Sequence, residues 1–463
     1  MAVTTSRVRP GRLPNPFANV DRARRERIIV AGLIVLAMVY PFTEVQRLIS
    51  ATPLGALPLP NINNLIVMTY YATLALGLNI VVGFAGLLDL GYVAFFVFGA
   101  YTTAFLASPH FGVHIPWWIV VVIAVAVSAL WGLLLGAPTL KLRGDYLAIV
   151  TLGFGEIVPA LVRILDNVNV TIGNLVLIGP DLNLTGGGLG INPIDAPIIP
   201  LAGPWGSELR FSNNSPQLAF YLSLAILLLC FFICVRLRDS RLGRAWMAVR
   251  EDETAAESMG INTVNTKLLA FALGASFSGF VGAFVGAYQT AIFPETFKFS
   301  ISISILISVI LGGMGSLRGV VVGAFVIQYV NNRLLSYLGT FVDDPLQALG
   351  DSTSIPILSD ILSKFTLVSY NFLIFGIILV LMMIYRPEGL LPTEARKAEL
   401  HGEGIAADQT FGTESTVAEA ATEYEEQVTE DPTPAIAGDE PAGPAIDRGL
   451  PAGSPGDETK DPR

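Results

Sequence analysis

The sequence predicts an all-α membrane protein, a polytopic bundle of about ten transmembrane helices, and three observations favour this fold class. Hydrophobic residues make up 52% of the 463 residues and charged residues only 14%, against about 25% charged in a typical soluble domain. The mean hydropathy is +0.60, and the apolar residues fall in runs of the length that a helix needs to cross a bilayer. These runs are too long and too uniformly apolar for barrel strands, so their backbone is expected to bond internally as helices.

The connections between the predicted spans divide the basic residues unequally. One side receives the arginine-rich start of the chain and the basic connections 140–145 and 237–266, whereas each connection on the other side holds at most one Lys or Arg. Cytoplasmic connections carry the excess of positive charge, so both termini are predicted to be cytoplasmic. The predicted spans are residues 28–43, 62–83, 87–107, 117–139, 146–164, 217–236, 267–292, 300–314, 319–338 and 367–385.

The two ends of the chain differ from the membrane region in charge. Residues 1–27 form a basic leader, and no small-residue cleavage site follows the first apolar run, so that run is interpreted as an uncleaved span. Residues 387–463 contain 18 acidic and 5 basic residues, whereas residues 1–386 contain 20 acidic and 23 basic residues, so the net charge of −10 arises in the tail. We expect a membrane domain at 28–391 and a disordered acidic cytoplasmic tail at 392–463.

Patterns typical of catalysis and cofactor binding are missing from the sequence. There is no Gly-x-x-x-x-Gly-Lys-Ser/Thr phosphate loop, no cluster with metal-ligand spacing and no Ser/His/Asp constellation. Cys230 and Cys234 lie one helical turn apart in an apolar run, and we expect buried thiols rather than a redox or metal pair. We expect this chain to have no enzymatic activity and to bind no cofactor or metal.

Polar side chains inside the predicted spans are candidates for lining a path through the membrane, because such groups are costly in lipid. These candidates are Asn79, Asp89, Thr151 and Glu156. Hydrogen bonding between helices is the alternative reading, and it is the favoured one for Asn79 and Thr151. Asp145 stands at a loop-to-helix step and is expected to cap the fifth span.

Two segments interrupt apolar runs with glycine, one in each half of the chain. They are Gly83-Phe-Ala-Gly-Leu-Leu-Asp-Leu-Gly91 and Gly312-Gly-Met-Gly-Ser-Leu-Arg-Gly319. Paired broken segments suggest an internal repeat with backbone lining a pathway. Tight turns combined with small-residue packing between helices explain the same pattern equally well, so the sequence leaves both interpretations open.

The connection 240–262 is predicted to be a charged cytoplasmic helix. Ser240 can cap its start and Gly260 is placed to end it, while Arg250 and Glu253, three residues apart, would share one face. The helix would expose Trp246, Met247 and Met259 and present the small Ala255 and Ala256, a surface suited to docking into a groove on a partner. A solvated connector is the alternative.

Ala255-Ala256-x-x-x-Gly260 resembles the Glu-Ala-Ala-x-x-x-Gly coupling loop of ABC import permeases, in which a short helix seats in the ATPase subunit. Thr254 occupies the glutamate position here, and Glu253 lies one residue earlier. Over residues 62–390 the chain also resembles the larger permease subunit of branched-chain amino acid ABC importers, on five segments that occur in order. These are Leu76–Gly91, Leu142–Ile157, Thr185–Gly187, Leu311–Ser316 and Arg386–Leu390.

This resemblance implies a permease subunit of an ATP-driven importer that carries leucine, isoleucine and valine across the cytoplasmic membrane of a bacterium by alternating access. Its implied partners are two ABC ATPase subunits, which bind the ATP, a second homologous permease subunit and an extracytoplasmic substrate-binding protein. Contact with the ATPase is expected of Arg250, Glu251, Asp252, Glu253, Ala255, Ala256 and Gly260.

Two other functions stay open on the sequence. A permease of the same architecture could carry urea, short amides or another small solute. A secondary transporter or channel is the other class, but it would place ion-coupling carboxylates in several spans and would not need a docking helix.

Overall fold

The structure is a computed structural model that describes residues 59–139, 145–166, 168–172, 175–199, 209–352, 366–386 and 388–391. The basic leader, the predicted first span 28–43 and the acidic tail lie outside the described residues. All described residues belong to one compact unit.

The described part of the chain is built mainly from α-helices, which confirms the predicted all-α class. The helices are α1 (Ile62–Asn79), α2 (Val93–Leu106), α3 (Trp117–Thr139), α4 (Asp145–Ile164), α5 (Pro216–Arg238), α6 (Arg241–Glu251), α7 (Glu253–Ser258), α8 (Thr263–Gln289), α9 (Phe299–Gly312), α10 (Leu317–Tyr329), α11 (Leu335–Ser352) and α12 (Asn371–Tyr385). Two π-helical turns, Ile80–Phe84 and Val330–Leu334, extend α1 and α10, and short 3₁₀ turns lie at Gly187–Leu189, Pro294–Thr296 and Leu367–Tyr370.

Strands are confined to three antiparallel two-stranded pairs within the described residues. The pairs are β1 (Ala107–Ser108) with β2 (Val113–His114), β3 (Val168–Ile172) with β4 (Leu175–Leu182), and β5 (Ile198–Ile199) with β6 (Leu209–Arg210). They lie in the connections between helices.

Every predicted span except 28–43 corresponds to a described helix, although several boundaries move. Within the described residues, six helices are long and apolar enough to cross a membrane, and the apolar helices Val93–Leu106 and Leu367–Met382 are shorter. The span predicted to begin at residue 87 begins at Val93, because the glycine-containing stretch before it is irregular. The span predicted to end at residue 338 continues through a π-turn to Ser352.

The core forms around α8, which packs against α3, α2 and α1. Glycines allow these helices to approach closely: a Cβ on Gly99 of α2 would lie 2.4 Å from the carbonyl oxygen of Gly279 in α8. Small residues at such crossings replace the hydrophobic driving force that lipid does not provide. Cys230 and Cys234 are buried free thiols, as the sequence predicts.

Connections at the two ends of the bundle contact one another in two separate groups. At one end, Arg250 reaches Gly83 at the end of the first π-turn. At the other end, Ile191 pairs with Ile292, and the amide of Asp195 donates to the carbonyl of Ala107 over 2.7 Å. Connections that the predicted spans place on the same side of the membrane therefore lie at the same end of the bundle.

Candidate coupling and pathway sites

The predicted helix 240–262 is two helices, because Asp252 interrupts it. Asp252 has extended backbone angles, and its Oδ1 accepts hydrogen bonds from the amides of Thr254 and Ala255 at 2.9 and 3.0 Å. An aspartate in this position satisfies the free amides at the start of a helix, so it ends α6 and begins α7. The hydroxyl of Thr254, together with these amides, lowers the pKa of Asp252 below its usual value.

Both predicted ends of this loop are confirmed. The Oγ of Ser240 accepts the amide of Gly243 at 3.2 Å, which caps α6. Gly260 follows α7 with φ of 83°, a left-handed conformation that favours glycine. The residues 240–262 therefore form one bounded unit, which we call the docking loop.

The prediction that Trp246 is exposed is wrong. Trp246 is fully buried, and its Nε1 donates to the carbonyl oxygen of Thr266 in α8 at 2.7 Å. The sequence pattern of α6 shows an apolar face but not the helices α5 and α8 that cover it. Met247 and Met259 are exposed, as predicted.

The small and acidic residues of the docking loop divide between its two faces. Ala255 is exposed, but Ala256 is buried. Glu253 forms an ion pair with Lys267 of α8 at 2.5 Å, so it is held within its own chain. The break at Asp252 also removes the helical face that Arg250 and Glu253 were predicted to share.

Glu251 and Glu257 of the docking loop are exposed. Asp252 caps α7 but is exposed as well, whereas Glu253 is paired with Lys267, so Glu251, Asp252 and Glu257 are the acidic groups that the docking loop presents outward.

Arg250 points into the bundle and not toward the exposed surface of the docking loop. Its Nη1 donates to the carbonyl oxygen of Gly83 at 2.6 Å. Its stem lies against Gly86, where an added Cβ would come within 2.7 Å of the arginine Cγ. The structure thus shows a contact of Arg250 inside the chain, and the expected contact of Arg250 with the ATPase stays a prediction.

The two glycine-interrupted segments lie against each other. The amide of Gly315 donates to Oδ1 of Asn79 at 2.9 Å, and an added Cβ on Gly83 would lie 2.7 Å from the nitrogen of Gly315. The end of the described chain joins them, since the amide of Leu390 donates to the carbonyl of Leu311 at 2.8 Å. This geometry favours the interpretation of tight turns with close packing.

The convergence of these segments could not be read from the sequence. Four of the quoted stretches meet at one end of the bundle: Leu76–Gly91, the docking loop, Leu311–Ser316 and Arg386–Leu390. The sequence signal for this convergence was the glycine that each stretch contains. A side chain at these glycines would clash with neighbouring atoms or strain the backbone.

Three of the four polar candidates lie inside the subunit. Asn79, Asp89 and Thr151 are almost completely buried. The Oγ1 of Thr151 accepts the amide of Leu90 at 3.1 Å, which joins α4 to the irregular segment before α2.

Asp89 is held in the irregular segment, where one oxygen accepts the amide of Gly91 at 2.9 Å. Its Oδ2 has no hydrogen-bond partner among the described residues. Asp89 and Thr151 line a cavity whose free space is about 10 Å³, enough for about one water molecule. That space cannot hold an amino acid.

Glu156 alone among the candidates is exposed, on the face of α4 that points away from the rest of the described chain. Ile149, Ile157 and Leu161 share this face at helical spacing and are also exposed. A side chain at Gly153, one turn before Glu156, would meet open space. The middle of α4 therefore presents a carboxylate on an uncovered surface.

Within the described residues, no group of three or more His, Cys, Asp or Glu is placed to hold a metal ion. His114 Nδ1 lies 2.6 Å from Asp195 Oδ2, and His110 Nε2 lies 2.8 Å from the carbonyl oxygen of Asn183.

An apolar helix bundle with close glycine crossings and a charged helical loop at one end defines a polytopic membrane protein. The chain belongs to the family of the branched-chain amino acid transport system permease component, whose profile matches residues 61–383. The match confirms the resemblance that the sequence predicts over residues 62–390.

Individual relatives agree with the family. The chain is 33% identical over 399 residues to the high-affinity branched-chain amino acid transport system permease protein LivM of Escherichia coli (strain K12), covering 83% of this chain and 79% of that protein. It is 35% identical over 382 residues to the LivM protein of Salmonella typhimurium, covering 80% of this chain and 75% of that protein. No solved structure matches the chain.

Proposed function

We propose that this chain is a permease subunit of an ATP-driven ABC importer that moves leucine, isoleucine and valine into a bacterial cell by alternating access. The observation that carries the proposal is the family match over 61–383, supported by relatives that are named as high-affinity branched-chain amino acid permeases. The chain lies in the cytoplasmic membrane with both termini inside, an orientation that rests on the distribution of Lys and Arg.

The proposed assembly contains a second, homologous permease, two ATPase subunits and an extracytoplasmic substrate-binding protein. A weaker similarity supports the second permease: the chain is 26% identical over 144 residues to the permease protein LivH of Salmonella typhimurium, covering 31% of this chain and 46% of that protein. ATP is bound and hydrolysed by the ATPase subunits, and this chain needs no cofactor of its own.

The docking loop is the proposed seat of the ATPase. Its outward surface is formed by the exposed Glu251, Asp252, Ala255 and Gly260, together with the exposed Glu257 and Met259. Because acidic groups surround its exposed small and apolar residues, this surface would complement a groove on the ATPase that is bordered by basic residues. The other residues expected to couple, namely Arg250, Glu253 and Ala256, support this surface from inside the chain.

The translocation pathway is proposed to run along the exposed face of α4. Glu156 is 11 residues from Asp145 and 8 from Ile164, or about 16 and 12 Å along the helix, which places it near the centre of the membrane. A charge at that depth costs about 2.5–3.5 kcal/mol when it faces lipid, so this face is expected to meet water or protein. We place the second permease opposite α4, with the path between them.

In this arrangement Glu156 receives the ammonium group of the amino acid in transit. Apolar neighbours such as Ile149, Ile157 and Leu161 suit the side chains of leucine, isoleucine and valine. Asp89 and Thr151 contribute to the packing of α4 against the bundle and not to the lining of the path.

Substrate identity is tested by reconstituting the complete transporter with its binding protein and measuring ATP-driven uptake into vesicles. We expect leucine, isoleucine and valine to be taken up and urea to be excluded. Uptake of urea without leucine would contradict the proposed substrate and favour the permease for urea and short amides.

The docking surface is tested by Ala255→Glu, which adds length and charge to an exposed position without filling the core. We expect the ATPase subunits to dissociate from the variant and uptake to stop, while the folded permease persists in detergent. Leu189→Glu is the control, because Leu189 is exposed at the opposite end of the bundle. Normal uptake by Ala255→Glu would contradict the docking assignment.

The pathway is tested by Glu156→Gln, which keeps size but removes charge. We expect leucine uptake to fall about 10- to 100-fold, the range for losing a hydrogen bond of about 1.5–3 kcal/mol to a charged group. Ile157→Gln is the matched control on the same face. Wild-type uptake by Glu156→Gln would refute the role of Glu156 in binding the substrate. If the second permease no longer copurifies with this variant, Glu156 belongs instead to the interface between the two permease subunits.

A further inference from the structure

We propose that Arg250 transmits movement of the docking loop to the transmembrane bundle by holding the two glycine-interrupted segments with one side chain. This inference rests on the proposed function, since it concerns how ATPase movement reaches the permease. Arg250 is a positioning residue in this scheme, because it contacts neither ATP nor the transported solute.

The contact with the first segment satisfies a helix end. The carbonyls of the last turn of a helix have no partners within it, and the carbonyl of Gly83 lies in the π-turn that ends α1. Arg250 Nη1 donates to this oxygen at 2.6 Å. A guanidinium at the carboxyl end of a helix also interacts favourably with the helix dipole, and a charged donor strengthens the bond.

The stem of the same side chain lies against the turn that follows. Gly86 has φ of 70°, and an added Cβ would come within 2.7 Å of Arg250 Cγ and 3.3 Å of its Cβ. Glycine at this position thus allows both the left-handed turn and the close approach of the arginine.

The second segment lies beside the guanidinium. Gly315 has φ of 84°, and an added Cβ there would be 3.5 Å from Arg250 Nη1. Asn79 Oδ1 accepts the amide of Gly315 at 2.9 Å, which ties this turn to α1 next to Gly83. Arg250 therefore touches the junction at which the first and second halves of the bundle meet.

The docking loop is built to move as one piece with Arg250. Trp246 and Val249 on the preceding turn are buried against the bundle, and the ion pair of Glu253 with Lys267 anchors the following helix. A displacement of the loop cannot leave Arg250 behind without breaking its bond to Gly83. The turn at Gly315 would follow the turn at Gly83, because its hydrogen bond to Asn79 ties it to α1.

Arginine is suited to this position in a way that lysine is not. Its guanidinium carries five donors in a fixed plane and can address two turns at once, whereas a lysine ammonium is a single flexible point charge. Arg244, on the same helix, provides a contrast, because its Nη1 donates at 2.9 Å to the carbonyl of Asp239 within its own loop.

The test uses the complete transporter in vesicles and measures both leucine uptake and ATP hydrolysis. We expect Arg250→Gln to bind the ATPase and hydrolyse ATP while the leucine transported per ATP falls about tenfold, the factor for losing one hydrogen bond from a charged donor. Arg250→Lys should restore part of the ratio. Arg244→Gln, which removes the same charge from the same helix, should leave the ratio unchanged.

The ratio of leucine transported to ATP hydrolysed distinguishes a loss of coupling between the docking loop and the bundle from a loss of folded protein. A variant that is only destabilised loses uptake and hydrolysis in proportion, so a proportional loss in Arg250→Gln would overturn the inference, as would an unchanged ratio. Failure of the proposed function looks different, because the wild-type complex would then show no ATP-driven uptake of leucine at all.

Discussion

Trp246 connects the docking loop to the membrane bundle, and its replacement by alanine is the sharpest test of the described packing. The side chain is fully buried between α6 and α8, and its Nε1 donates to the carbonyl of Thr266. Trp246→Ala removes the ring and the hydrogen bond together. Trp246→Phe keeps most of the ring and removes only the donor.

The expected loss of stability follows from this burial. A buried aromatic residue of this size covers about 150–250 Å², and at about 25 cal/mol per Å² this gives an upper estimate of ~4–6 kcal/mol. Substitutions of buried tryptophan by alanine cost about 3–5 kcal/mol. The hydrogen bond accounts for about 0.5–1.5 kcal/mol, which is the loss expected for Trp246→Phe.

Equilibrium unfolding of the purified permease in mixed detergent micelles measures these losses. Met259→Ala is the matched control, since Met259 is an apolar residue of the same loop with 84% of its surface exposed. Its substitution should change the free energy of unfolding by less than about 0.5 kcal/mol. If Trp246→Ala is no more destabilising than Met259→Ala, the described burial of α6 is refuted.

Three further substitutions test the packing and the capping of the bundle. Gly99→Ala places a methyl group against the carbonyl of Gly279 and should cost about 1–3 kcal/mol of unfolding free energy by overpacking. Thr151→Val leaves the amide of Leu90 without its acceptor and should cost about 1–3 kcal/mol in the same assay. The lowered pKa of Asp252 means that its cap stabilises the folded loop above the unfolded pKa of about 4 and is lost as pH falls through the lower folded pKa. Amide exchange of α7, corrected for the intrinsic rate, should therefore accelerate in acid, and Asp252→Asn should abolish that dependence.

Each of these substitutions has a control or a contrary outcome. Gly153→Ala meets open space and should be neutral in the monomeric permease. Thr151→Ser keeps the hydroxyl and should retain most of the stability. Acid-induced exchange that persists in Asp252→Asn would assign the pH dependence to another group.

Much of the fold could be predicted from the sequence, because lipid imposes strong local constraints. A helix must be about 20 residues long to cross a bilayer and must satisfy its own backbone, so apolar runs such as 62–83 and 117–139 locate spans directly. Caps are equally local: Ser240 and Gly260 bound the docking loop as predicted, since a side-chain acceptor and a left-handed glycine act within a few residues.

The candidate site was predicted less completely, for a physical reason that its residues illustrate. Asn79, Asp89, Thr151 and Glu156 look alike in sequence, since each is a polar residue in an apolar run. Their difference is the direction in which each side chain points, and this depends on the rotation of a helix within the bundle. The first three face inward and Glu156 faces outward.

The sequence by itself determined the class of the protein, most of its spans, their expected orientation and the position of the docking loop. These features follow from hydrophobicity, charge distribution and short-range backbone chemistry. Only the tertiary structure decided that Trp246 is buried and that Arg250 joins the docking loop to Gly83. Both outcomes depend on contacts between residues that are distant in the chain: Trp246 and Thr266 are 20 positions apart, and Arg250 and Gly83 are 167 positions apart. Local sequence patterns do not specify such contacts.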